Sequence, residues 1–343
     1  MDKHYLTPLF APASIAVLAG RADNPESLTS YAQALHPALR AQRFAGSLQF
    51  VDTHTSGTLA DLAQRKSDLA IIALPPAEVP AALEVAGRIG CRAALVLSSG
   101  MDADQAANLK KIARREGLYL LGPNSLGFQR PHLQLNASAA GPLASDGPLA
   151  LVCQSGALTS SILDWASNNA VGFSAVVSLG PNTDVDIAQV LDFLAHDART
   201  QSIVVYMEGI SNARRFMSAL RSAANAKPVV VLKAGRKPAG NEAAQTHSGT
   251  IVGSDDVFDA ALHRARAARC ACVRLSSCFR RPSVWRRVTG RWASAWPSSP
   301  MAAAPVCWRP TGSMKFCSIW ASYPPKRCAH SRRSCRPWRR CQT

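Results

Sequence analysis

Nine short apolar runs alternate with stretches of helical spacing between residues 14 and 235 of this 343-residue chain. A run of five or six consecutive apolar residues suits a strand covered on both faces. A helix between two such strands brings them side by side in parallel. The alternation therefore predicts α/β layers, and it excludes an all-β sandwich or a helical bundle.

The runs fall into two series. SIAVLAG (14–20), SLQFVD (47–52), DLAIIALP (68–75), AALVLSSG (93–100) and LYLLGPN (118–124) come first. Between them PAEVPAALEVAGRIG and DADQAANLKKIARREG have helical spacing and stop at Gly, the usual left-handed cap. This series predicts a doubly wound Rossmann-like domain over 1–140. NASAAGPLASDGP (136–148) reads as a linker by its Gly, Pro, Ser and Ala content. The second series is PLALVCQSG (148–156), FSAVVSLG (173–180), SIVVYMEG (202–209) and KPVVVLKAG (227–235). It predicts a smaller flavodoxin-like domain over 145–269, closing with a helix at about 255–268. In DVDIAQVLDFLAHD, Ile187, Val190, Leu191 and Leu194 make one apolar face.

The formal charge of +17 invites a nucleic-acid reading until it is located. Residues 270–343 hold 13 Arg and 2 Lys with no Asp or Glu, which leaves 24 basic against 22 acidic residues in the body. The same stretch holds 8 of the 10 Cys and 6 of the 7 Trp. Evolved soluble domains mix both signs of charge. Arg, Cys, Trp, Ser, Pro and Ala together are what GC-rich DNA gives out of frame. Shifting the codons of WASAWPSSPMAAAPVCW (292–308) by two bases forces two Gly and one Ala and permits GKRLAIVTNGGGPGVL, a strand followed by a glycine-rich turn. The expectation is a frameshift near residue 269 and a structureless tail over 270–343, with no specific nucleic-acid partner. CAC at 270–272 is too tight for a zinc site, and no metal site is predicted. Cys91 and Cys153 are far apart and flanked by apolar residues, which is reduced, cytoplasmic usage. The N-terminus has neither the basic start nor the unbroken apolar core of a signal peptide, and no run approaches the ~18 residues of a membrane helix.

In parallel sheets ligands meet the chain beyond the carboxyl ends of the strands. VLAGRADNPES, after the first strand, is a partial glycine-rich loop without GxGxxG; Asp52 lies near the end of the second strand. LLGPNSLG (120–127) is one tight turn of Gly, Pro, Asn and Ser. CQSGAL (153–158) is strand, Ser-Gly, then a helix start, whose free N–H groups suit either a phosphate or ordinary capping by Ser155. YMEGI (206–210) ends a buried strand on a carboxylate. QTHSGTIVG (245–253) sets His247 in a polar, glycine-rich turn instead of an apolar run.

Taken in order, LTPLFAPASIAVLAG, LLGPNSLGF, LALVCQSGAL, VSLGPNTDVDIAQVLDFLAHD, VVYMEGI and THSGTIVGSDDVFDAA resemble the NDP-forming acyl-CoA synthetases, the superfamily of succinyl-CoA synthetase, over about residues 6–269. LDWASNNAVGFSAVVSLG is most similar to the branch that includes bacterial protein lysine acetyltransferases, and the out-of-frame VTNGGGPGVL resembles the start of the family's third domain. The resemblance implies a first domain that binds coenzyme A or acyl-CoA, with Gly20, Ser98, Ser99 and the turn Pro123-Asn124-Ser125 near the cofactor. It implies that His247 takes a phosphoryl group from an acyl phosphate and that Glu208 holds the other ring nitrogen. Ser155 and Gly156 would steady the phosphoryl group. ADP or ATP with Mg would enter only through an ATP-grasp domain, which is not recognisable in this chain. A separate ATP-grasp partner or a homo-oligomer is then expected. The alternative is the acyl-CoA-binding regulatory half of a protein lysine acetyltransferase.

Overall fold

Apolar runs without alternation become strands buried on both faces. β1 (Ser14–Leu18), β3 (Leu69–Ile72) and β4 (Ala93–Val96) bury all or nearly all of their residues. With β2 (Ser47–Phe50) and β5 (Tyr119–Leu121) they form a five-stranded parallel sheet in the order β2-β1-β3-β4-β5. The structure, a computed structural model, describes residues 4–20, 28–51, 66–180 and 183–234, the helical positions Phe258, Ala260, Leu262 and Arg264, and Ala268–Arg269. Every one of these lies in one compact unit, Met1–Trp296. Asp52, His247 and the tail 270–343 fall outside the described residues.

The helices beside the first sheet follow from local chemistry. α1 (Thr7–Phe10) is a single turn that buries Leu9 and Phe10. α2 (Ser30–Arg40) is capped by Thr29, whose Oγ1 accepts the Ala32 N–H at 3.2 Å and donates to the Ala73 carbonyl at 2.8 Å. That hydroxyl ties the helix start to the end of β3. α3 (Val79–Arg88) buries Val79, Ala82, Leu83 and Ala86 at helical spacing. α4 (Ala103–Arg115) starts at a capping box, with Asp102 Oδ1 accepting the Gln105 N–H at 2.7 Å and the Gln105 side chain accepting the Asp102 N–H at 3.1 Å.

The second sheet has seven strands in the order β12-β11-β10-β8-β9-β6-β7. These are β6 (Gly127–Arg130), β7 (Leu135–Ser138), β8 (Asp146–Cys153), β9 (Phe173–Ser178), β10 (Ser202–Met207), β11 (Val229–Lys233) and β12 (Ala268–Arg269). Its five parallel strands repeat the first sheet's topology, with the first strand between the second and the third. α5 (Gly156–Asn168), α6 (Ile187–His196) and α7 (Ala213–Ala226) cover it. α6 buries the expected Ile187, Val190, Leu191 and Leu194, and also Ala188, Phe193 and Ala195. No described helix is long and apolar enough to cross a membrane.

Two features differ from the sequence expectation. The hairpin β6–β7 pairs antiparallel to β9, so the second sheet begins at Gly127, inside the stretch assigned to the first domain. The stretch 136–148 is also no plain linker, since its ends belong to β7 and β8. The reason is a buried polar network. The Gln129 amide donates to Ser138 Oγ and to the Pro142 carbonyl, both at 3.1 Å, and accepts the Ala144 N–H at 3.0 Å. The Asn136 amide donates to the Gly141 carbonyl at 3.0 Å. Side-chain amides thus satisfy the backbone of a segment whose composition alone reads as loose.

The two sheets share one apolar cluster. The Phe10 ring meets Phe128 and Phe193 with centroids 5.3 and 5.0 Å apart. At the end of α6 away from its capped start, Arg130, only 2% exposed, pairs with Asp197 at 3.1 Å, and its guanidinium lies 5.3 Å from the Phe193 ring centroid. The Lys227 ammonium donates to the Leu194 and Asp197 carbonyls at 2.6 Å each, which satisfies open acceptors at the helix C-terminus.

Candidate functional site

On the first sheet the rim opens where β1 ends. Gly20 holds φ +69° there, a left-handed conformation that costs an L residue and not glycine. The preceding Ala19 carbonyl accepts a hydrogen bond from His36 Nε2 at 3.3 Å, and the His36 ring stacks on Phe50. Beyond β4, the two serines diverge. Ser98 turns inward, donating to the Leu74 carbonyl at 2.5 Å, while Ser99 is exposed. Beyond β5, Pro123 is buried behind a cis Gly122–Pro123 bond, and Asn124 sits at φ +57°. Asn124 accepts the Gly100 N–H through Oδ1 at 3.1 Å and donates its own N–H to the Ser98 carbonyl at 3.0 Å. The two loops therefore form one unit, whose accessible side chains are Ser99 and Asn124.

Ser125 is buried and faces the second sheet. Its Oγ donates to the Ser178 carbonyl at 2.6 Å and accepts the Gly127 N–H at 2.8 Å. Thr183 Oγ1 accepts the Gly122 N–H at 3.1 Å. At Gly180 a Cβ would run into the Pro123 carbonyl oxygen, so the two backbones touch there because residue 180 has no side chain. Gly122 is constrained the same way against the Val96 carbonyl. The turn expected to lie near a cofactor is thus also the joint between the two sheets.

On the second sheet, Ser155 caps α5, its Oγ accepting the Leu158 N–H at 3.4 Å and its carbonyl accepting from Thr159 Oγ1 at 2.8 Å. Gly156 is the first helical residue, so the free N–H groups and the positive end of the dipole open onto this rim. One strand over, Glu208 follows β10 and is 8% exposed. Its influence is visible on its neighbours. Burial first, with the Glu208 carboxylate adding to it, pushes the Cys153 thiol up to about 11 and raises the Tyr206 phenol above its ordinary value. Gln154, which the sequence reading passed over, joins the two strand ends. Its side chain accepts the Glu208 and Gly209 N–H groups at 2.6 and 3.2 Å and donates to the Gly209 carbonyl at 3.0 Å. Its only sequence signal is its place between a buried strand and Ser-Gly. β11 ends beside β10, and the segment that carries His247 leaves from Ala234 on this side; His247 itself is outside the described residues.

Among the described residues, His4, Asp192 and His196 bring ligand-type atoms within 4.8 Å of one another. The geometry is that of a tether. His4 Nδ1 accepts the Leu6 N–H at 3.1 Å, which puts the ring proton on Nε2, and that proton points at Asp192 Oδ2, 3.1 Å away. A nitrogen that carries its proton has no lone pair for a metal.

Comparison with known proteins gives the same two parts in the same order. A CoA binding domain matches residues 49–131, and a succinyl-CoA ligase like flavodoxin domain matches residues 146–274. Acetate–CoA ligase [ADP-forming] I of Archaeoglobus fulgidus is 38% identical over 212 residues, 60% of this chain and 31% of that one. The alpha subunit of acetate–CoA ligase [ADP-forming] I of Pyrococcus furiosus is 38% identical over 209 residues, 59% of this chain and 45% of that one. A solved structure of the dinucleotide forming acetyl-coenzyme A synthetase 1 of Ca. Korarchaeum cryptofilum, in complex with phosphate and ADP, superposes with a TM-score of 0.71 at 27% identity. It covers 78% of this chain and 60% of that one. The chain spans less than half the length of these two ligases. Both are ligases, and nothing in them favours the acetyltransferase alternative. The chain thus carries a CoA binding domain followed by a succinyl-CoA ligase like flavodoxin domain, and over these residues it is similar to ADP-forming acetate–CoA ligases.

Proposed function

We propose that this chain is the CoA-binding and phosphohistidine-bearing part of an ADP-forming acyl-CoA ligase. The observation that carries the reading is the second rim. A capped helix start and a buried carboxylate stand on neighbouring strands, and the segment with His247 departs from the next strand. In this reading acyl-CoA lies along the first rim, near Gly20, Ser99 and Asn124, with Ser98, Pro123 and Ser125 supporting that rim from beneath.

The chemistry has two steps. A phosphate oxygen attacks the thioester carbonyl, the C–S bond breaks, and CoA leaves as the thiol with the proton from phosphate. A neutral His247 nitrogen then attacks phosphorus, forming P–N as the P–O bond to the acyl carboxylate breaks. The Glu208 carboxylate accepts the N–H of the other ring nitrogen, fixing the tautomer and stabilising the positive charge that develops on the ring. Ser155, Gly156 and the α5 dipole offset the phosphoryl charge. ADP takes up the phosphoryl group on an ATP-grasp partner, with Mg supplied there.

Residues 1–140 and 145–269 are assigned to these two tasks, with the β6–β7 hairpin contributed to the second sheet. We assign 270–343 to a shifted reading frame; the family match, which stops at residue 274, supports this, and resequencing the gene across codon 269 tests it. Cys91 and Cys153 are both free thiols, which fits a cytoplasmic setting.

The function is tested in a single turnover. The chain is mixed with inorganic phosphate and a panel of short acyl-CoA thioesters, and free CoA is measured by chromatography. CoA is expected to be released only with phosphate present, with about one acid-labile phosphoryl group left on each native chain and none on His247→Ala. Release without phosphate, or an acid-labile phosphoryl group that persists in His247→Ala, overturns the reading.

A further inference from the structure

The Gln154 side chain makes three hydrogen bonds to the backbone of two consecutive residues, Glu208 and Gly209. Oε1 accepts from both the Glu208 and the Gly209 N–H, and Nε2 donates to the Gly209 carbonyl. Its own N–H is already held by the Tyr206 carbonyl at 3.2 Å, so the residue cannot swing away without breaking a strand contact. The next two residues are Ser155 and Gly156, which start α5. One side chain therefore sets the spacing between a helix N-terminus and a buried carboxylate. No charge is introduced: a carboxamide offers an acceptor and a donor, which is what an N–H pair and a carbonyl on one turn require. Lys or Arg has no acceptor, and a carboxylate has no donor.

We infer that Gln154 is a positioning residue, which holds Glu208 at a fixed distance from the Ser155–Gly156 helix start so that the histidine and its phosphoryl group can be gripped together. The inference rests on the function proposed above. Gln154 touches neither substrate nor histidine in this account; it acts through the Glu208–Gly209 peptide.

The test uses the full 343-residue chain and acetyl phosphate labelled at phosphorus, with the rate of acid-labile labelling as the readout and CoA affinity and thermal midpoint as controls. Gln154→Ala loses hydrogen bonds to a buried backbone unit, and labelling is expected to slow roughly tenfold or more, with CoA affinity unchanged. Gln154→Glu has the same shape, keeps the acceptor and loses the donor. At pH 8 the introduced carboxylate faces the Gly209 carbonyl and Glu208, and labelling is expected to be slow. As the pH falls towards 5.5 the introduced carboxyl takes up a proton, regains an O–H donor, and the rate relative to the native chain at the same pH climbs. A merely structural defect gives a ratio that is flat with pH. A native chain whose labelling resists His247→Ala overturns the function and this inference with it. A native chain that labels on His247, with Gln154→Ala within twofold of it or a flat ratio for Gln154→Glu, overturns the positioning role alone.

Discussion

Replacing Gly180 by alanine adds one methyl group at the tightest joint between the two sheets. The added Cβ would overlap the Pro123 carbonyl oxygen and stand 3.0 Å from both the carbonyl carbon and oxygen of Asn124. These are backbone atoms of a turn pinned at Asn124 N, Asn124 Oδ1 and Ser125 Oγ, so no side chain can rotate out of the way. The turn has to retreat by about an ångström, at the cost usual for overpacking, about 1–3 kcal/mol. In a body of this size each kcal/mol lowers the thermal midpoint by about 2–4 °C. Because Asn124 is on the rim proposed to hold CoA, CoA affinity should fall with stability, by about tenfold for each 1.4 kcal/mol expressed at the site. Gly117→Ala is the control: it holds φ +71° with nothing within 4 Å of an added Cβ, so it carries backbone strain without a clash and lies away from the rim. Calorimetric melting and CoA titration of both variants decide the matter. A Gly180→Ala chain with native midpoint and native CoA affinity would refute the joint. A Gly117→Ala chain that loses affinity as strongly would refute its link to the cofactor.

Arg130→Met should destabilise the body by about 3–5 kcal/mol in urea denaturation, because it leaves Asp197 partly buried without its guanidinium. The His132 imidazole is held below its ordinary 6.5 by burial first and by the Arg130 guanidinium second. The unfolded chain therefore takes up that proton first, and stability, full above pH 6.5, falls as the pH drops below it. His132→Gln should flatten this limb in urea midpoints measured from pH 7.5 to 5; an unchanged limb contradicts the assignment. Burial pushes the Cys91 thiol up to about 12 and Cys153 to about 11. Peptide mapping after iodoacetamide at pH 8 should find both unmodified in the native chain and modified after denaturation. Asp102→Ala removes the α4 capping box and should cost about 1 kcal/mol by the same urea measurement.

The strands were legible because parallel strands buried on both faces leave a plain sequence mark: LAII and AALV have no polar alternation to confuse with a helix. The helices were legible for a local reason too, as in the apolar periodicity of Ile187, Val190, Leu191 and Leu194, all of which the structure buries. What the sequence hid was decided by long-range hydrogen bonds. The β6–β7 hairpin belongs to the second sheet because β6 pairs antiparallel with β9, Gly127 opposite Ser178 and Gln129 opposite Val176, partners far away in sequence. Gln154 is invisible in CQSGAL because its partners lie 54 and 55 residues away. The two-residue β12 is too short to announce itself. Among the site residues, Ser99, Asn124, Ser155 and Glu208 stand where strand ends put them, while burial turns Ser98 and Ser125 into supports.

The account stands most directly on where a phosphoryl group lands. The chain is incubated with acetyl phosphate at pH 8, digested under neutral conditions, and the modified peptide is sequenced by mass spectrometry with a fragmentation that keeps P–N bonds. The account predicts a single acid-labile phosphate on His247 in THSGTIVG, reduced strongly in Glu208→Gln, which keeps the shape of that side chain and loses its charge. Phosphate found on another histidine or on a serine, or on His247 at native level in Glu208→Gln, would contradict it.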